Sequence, residues 1–92
     1  MDIFNLIEQV ISHPPVPFNP NQQTLKNWAT YCLRDRGFKV VYAQNADFAI
    51  ERPDGQKLYI SVTQSAEDLD PSVAWIVRDE ATNQIRLVAP TT

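Results

Sequence analysis

The sequence predicts an α+β fold, with two N-terminal helices packed on a mainly antiparallel sheet of about five strands. Three observations predict it. Apolar residues recur at helical spacing through the first third of the chain. Residues 38–63 read as three consecutive strands separated by turn residues, a meander. Two further β-rich segments near the C-terminus, 74–78 and 84–89, read as a hairpin. The 92 residues, 43% apolar, suit one domain spanning 1–92 with one core.

The first helix is expected over Asp2 to Ser12. Ile3, Leu6, Ile7, Val10 and Ile11 form one face, with Phe4 beside them, and Asn5, Glu8, Gln9 and Ser12 fill the other. Asp2 is the expected cap. Residues 13–20 read HPPVPFNP, and prolines at 14, 15, 17 and 20 forbid helix continuation. This stretch is expected to be a stiff, extended connector. Pro14-x-x-Pro17 also fits the pattern read by polyproline-binding domains, but so short a pattern recurs by chance. His13, the sole histidine, has no identifiable partner for catalysis or ligation.

A second helix is expected to start with Asn19 as N-cap, Pro20 at its first position and Gln22 three residues after the cap. Leu25, Trp28, Ala29, Cys32 and Leu33 supply its apolar stripe, Arg34 and Arg36 favour its C-terminal dipole, and Gly37 ends it. Cys32 lies in that stripe and reads as a buried, inert thiol.

Residues 38–43 (FKVVYA) are rich in β-branched and aromatic side chains and apolar on both faces apart from Lys39. A central, well-covered strand is expected. Asn45-Ala46-Asp47 is a turn, and Phe48 to Arg52 is the second strand. Pro53-Asp54-Gly55 is a strong turn signal, and Lys57 to Thr63 alternates cleanly as the third strand. Residues 64–71 (QSAEDLDP) form a polar loop whose acids Glu67, Asp68 and Asp70 lack the spacing of a calcium loop, so no metal is expected there. Residues 72–89 allow two readings. In one, Ala74–Arg78 and Gln84–Ala89 pair as a hairpin around 79–83, with Asn83 left-handed. In the other, Asp70 caps a helix from Pro71 and only 84–89 is a strand. The β-branched and aromatic run at 75–77 favours the hairpin.

Net charge is −3 and the sequence pI about 4.9, so nucleic acid is not expected as a partner. A single cysteine excludes an internal disulfide. No signal peptide or membrane-length apolar run is visible, so a cytoplasmic protein without a membrane partner is expected.

The run from Thr24 to Thr63 resembles the core of the PD-(D/E)XK, or restriction-endonuclease-like, superfamily. The likeness lies in a helix ending Arg34-Asp35-Arg36-Gly37-Phe38, a strand over 39–42, an acid opening the next strand at Asp47, and a third strand after the Pro-Asp-Gly turn. In that family an aspartate and an acid-x-lysine triplet meet at one sheet edge, where the acids hold magnesium and the lysine orients or activates water. The resemblance places Asp47 at the first position and Ser61-Val62-Thr63 at the triplet. Serine thus stands for the second acid and threonine for the lysine. One carboxylate and two hydroxyls make a poor magnesium site. Glu51 shares the face of Asp47 but lies roughly 13 Å along the strand. The family also places a helix between its third and fourth strands, where the hairpin reading has none. The resemblance therefore implies at most a catalytically silent relative, with Asp47, Ser61 and Thr63 as its candidate positions.

The residues alone favour a small non-enzymatic module with no cofactor, acting on an unidentified protein partner or on itself as a homodimer. Tyr42, Tyr59 and Trp75 are the candidate aromatic anchors. An uncovered apolar sheet face is expected, and Asp47 is expected to bond turn amides beside Asn45.

Overall fold

The structure, a computed structural model, describes residues 3–64 and 69–90. It contains helices α1 (Ile3–Ser12) and α2 (Leu25–Asp35) and strands β1 (Lys39–Val41), β2 (Phe48–Glu51), β3 (Lys57–Thr63), β4 (Ala74–Arg78) and β5 (Ile85–Val88). This is the α+β arrangement expected, and the strands lie side by side in chain order. The Asp2 cap, the acids Glu67 and Asp68, and the segment around them lie outside the described residues.

Local chemistry sets most element ends. α1 buries Ile7, Val10 and Ile11, as its spacing requires. α2 starts five residues later than Asn19 predicts. The Asn19 carbonyl accepts the amides of Gln22 and Gln23, and its side chain accepts that of Asn21, closing an isolated turn. Thr24 then adopts an extended conformation (ψ 157°) and its hydroxyl accepts the Asn27 N–H at 3.1 Å. Of the two capping residues, the one adjoining the apolar stripe starts the helix. At the other end the Phe38 amide reaches the Leu33 carbonyl and the Gly37 amide reaches that of Arg34. This Schellman closure needs the positive φ (102°) that Gly37 supplies.

The proline-rich connector is strapped to the core. The Trp28 indole N–H donates to the Val16 carbonyl at 2.9 Å, and Phe18 meets the Trp28 ring edge-on at 5.6 Å. The side chains around it form the main core: Trp28, Cys32 and Leu33 from α2 and Ile7 from α1, against Phe48, Ile50, Ile60, Ala74 and Ile76. Register explains the sheet's contribution, because Phe48, Ile60 and Ala74 are direct partners across three strands. All of these project from the face that carries both helices.

Three features of the sheet depart from expectation. β1 is an edge strand of three residues rather than a central one. Val40 on its inner face touches the core, but Tyr42 beyond its end is 84% exposed. Val40 and Val41, on its two faces, are each only half-buried. β3 and β4 are parallel, with Ser61 opposite Trp75 and Thr63 opposite Val77, so the sheet is mixed. Neither strand carries a residue that fixes its direction. The expected bare outer face is also half covered. Ala49 is buried between its register partners Val41 and Tyr59, Ser61 beside Trp75, and Val77 between Thr63 and Arg86.

The C-terminal hairpin forms as expected and no helix starts at Pro71. Asn83 takes the left-handed conformation (φ 59°), and its amide closes the loop onto the Asp79 carbonyl at 2.7 Å. The Pro53-Asp54-Gly55 turn is equally faithful to its sequence, with Gly55 at φ 87° and its amide on the Arg52 carbonyl.

Candidate functional site

The residues singled out by the nuclease resemblance meet where β2 begins and β3 ends. Asp47 opens β2 and is half-buried; Ser61 is only 7% exposed. The Val62 N–H donates to Asp47 Oδ2 at 2.8 Å, and the Asp47 N–H approaches Ser61 Oγ at 3.4 Å. Asp47 therefore bonds the amide of a neighbouring strand instead of turn amides beside Asn45. Amides of alternate strand residues point to the same side, so Val62 offers its N–H toward β2 after the last register pair, Phe48 with Ile60. The chain has turned away there, and the carboxylate takes the position of the missing ladder carbonyl. A buried amide left unmatched is costly, which gives the aspartate a structural task.

Thr63 is half-buried opposite Val77, two residues beyond Ser61. Glu51 is turned to another partner: its carboxylate pairs with Lys39 Nζ at 3.1 Å across β1 and β2, where the two are register partners. Among the described residues no group of three or more His, Cys, Asp or Glu side chains is placed to hold a metal ion. Cys32 is fully buried, and burial, with Asp35 nearby, pushes its thiol up to about 11. It stays protonated and unreactive near neutral pH.

The polar loop before β4 is organised by Asp70. Its side chain accepts the Ser72 amide at 2.9 Å and hydroxyl at 2.7 Å, and these two bonds hold its carboxyl below the usual carboxylate range. Its carbonyl accepts the Trp75 indole N–H at 2.9 Å.

The three candidate anchors separate accordingly. Trp75 is half-buried with its indole N–H engaged, so it covers the outer face rather than offering itself. Tyr42 is 84% exposed and Tyr59 40%. Val41 lies in one register row with Ala49 and Tyr59, so Val41 and Tyr59 mark the β1 side of the outer face, and Tyr42 follows directly beyond the end of β1. Tyr31, on α2, is a further exposed aromatic, invisible to the sequence reading because its spacing places it off the stripe without marking it as special. Among the described residues no helix is long and apolar enough to cross a membrane. No family model, curated protein or solved structure matches the chain.

Proposed function

We propose that this chain is a small non-catalytic module that works by binding another polypeptide, a second copy of itself being the simplest such partner, at the β1 side of its sheet. The observation that carries the reading is the exposed Tyr42 beside an unpaired sheet edge. An edge strand presents a row of N–H and C=O groups that another strand can complete, and tyrosine supplies contact area with few rotamers to order. Tyr59 and Val41 extend the surface inward along one register row. The test is sedimentation of the wild type at micromolar concentration. A dimer that Tyr42→Ala and Tyr59→Ala together reduce to monomer is the expected outcome, while a strict monomer removes the second copy as partner.

A second reading is favoured by one observation, the meeting of Asp47 with Ser61 that the nuclease resemblance implies. In that reading the chain is a catalytically silent relative of a metal-dependent nuclease. The chemistry opposes activity. Phosphodiester hydrolysis needs charge stabilisation and an activated water, and here the one carboxylate is already bonded to the Val62 amide, with serine and threonine at the positions of the second acid and the lysine. With magnesium or manganese, no cleavage of single- or double-stranded DNA is expected. Cleavage lost in Asp47→Ala would restore the enzyme.

A further inference from the structure

The direction of the backbone groups along β1 follows from the hairpin beside it. In the turn between β2 and β3 the Arg52 N–H donates to the Gln56 carbonyl at 2.8 Å, and the Arg52 carbonyl accepts the Gly55 N–H at 2.9 Å. Arg52 thus turns both groups toward β3. Such groups alternate sides along an antiparallel strand, so those of Ile50 and Phe48 also face β3, and those of Glu51 and Ala49 face β1. Their register partners Lys39 and Val41 complete that ladder. Val40, between them, turns its N–H and C=O out to the free edge, while its side chain packs on the core. The same alternation makes Tyr42, 84% exposed just beyond β1, the next outward residue. On the other side the Phe38 amide is already taken by the Leu33 carbonyl.

The usable edge is therefore short and defined, Val40 with Tyr42. A free peptide would have to order its own backbone to gain so few bonds. A second copy brings a strand already held extended by β2, and each edge supplies the donors and acceptors that the other lacks.

We infer that two copies join edge to edge, β1 antiparallel to β1 about a two-fold axis, with Val40 opposite Tyr42 of the second copy. This rests on the reading of the β1 side as a surface that binds a second copy. The symmetry repeats the Val40–Tyr42 pair, and each pair exchanges both of its N–H···O=C bonds. Val41 then lies opposite Val41 of the second copy, so the two sheets become one with all the helices on the same side. Lys39, bound to Glu51 at 3.1 Å, faces Ala43 of the second copy, which keeps the two lysines at opposite ends of the ladder. A parallel pairing in register would set Lys39 beside Lys39.

The experiment is amide hydrogen exchange by NMR on the intact chain, dilute and concentrated, with sedimentation of the same samples. The Val40 and Tyr42 amides should gain protection of roughly tenfold or more as concentration rises, while those of Lys39 and Val41 are protected throughout. Tyr42→Pro deletes an outward N–H that has no part in the β1–β2 ladder, a change that an edge tolerates. It should weaken dimerisation roughly tenfold more than Tyr42→Ala, which loses the same ring and keeps the amide. The exchange measurement needs no variant, so it decides the matter if Tyr42→Pro fails to fold. A strict monomer removes both the second copy and this pairing. A dimer in which Val40 and Tyr42 exchange equally at all concentrations, or in which proline and alanine act alike, keeps the second copy and overturns the edge pairing. Protection of Val40 without Tyr42 overturns the register.

Discussion

The two faces of the sheet are built from similar strands yet end in different states. On the inner face Phe48, Ile50, Ile60, Ala74 and Ile76 are all 2% exposed or less, because two helices lie over them. On the outer face Ala49 and Val77 are 4% exposed or less, but Tyr59 is 40% exposed; Tyr42, beyond the end of the edge strand, is 84% exposed. The inner face is covered by whole elements, while the outer face is covered by its own larger side chains and by the Asp70 segment pinned to Trp75. Coverage by an element gives a closed core. Coverage by side chains protects small residues between them and leaves the periphery available.

Substitutions graded across the sheet test this difference. The largest effect is expected under the helices: Trp28→Ala removes the indole, its bond to Val16 and its edge contact with Phe18, and should cost about 3–5 kcal/mol. A loss below about 1 kcal/mol in urea melts would mean that the inner face is not the closed one.

The next concerns the buried thiol on the same face. The Cys32 pKa is raised from 9.0 to about 11 in the folded chain, so the protonated form is favoured by folding. This contribution is fully present below pH 9 and is lost as pH rises from 9 through 11. It amounts to at most about 3 kcal/mol. Urea melts across that window should fall more steeply for the wild type than for Cys32→Ala, and the thiol should react with an aromatic disulfide reagent only on unfolding.

Third, Val77→Ala, at the covered centre of the outer face, should cost about 1–2 kcal/mol. A cost equal to that of Trp28→Ala would erase the contrast between faces. The smallest stability effect belongs to Tyr42→Ala, below about 0.5 kcal/mol by thermal melt, even where it abolishes association.

The same contrast explains how much could be read from the sequence. Local chemistry was legible wherever one or two residues settle a conformation. Gly37 ended α2, Pro53-Asp54-Gly55 turned the chain, and Asn83 took the left-handed position of the last hairpin. Helix faces were legible from spacing alone. What resisted was relational. Nothing within β3 or β4 states that they run parallel, and β1 is apolar on both sides whether it sits in the middle or at the edge. The bond from Val62 to Asp47 spans 15 positions. Asn19 and Thr24 were both competent caps, and only the apolar stripe that follows Thr24 decided between them.

The parallel β3–β4 pair has a consequence for how the molecule assembles. β1 with β2, β2 with β3, and β4 with β5 are each joined by a short loop, so those ladders need only local chain closure, which takes microseconds. The parallel pair cannot form by a tight turn, because the connection from Thr63 must return the chain to the level of Ile60, which Ala74 faces. The sheet therefore has a seam between a three-stranded unit and a two-stranded one, and the latter is too small to hold by itself in water. Joining them brings Ile60 beside Ala74 and Val62 beside Ile76, completing the surface on which both helices rest. The slowest contact to form is thus the one on which cooperativity depends. Until it closes, the chain is a three-stranded meander, a hairpin and two unanchored helices; once it closes, it is one core.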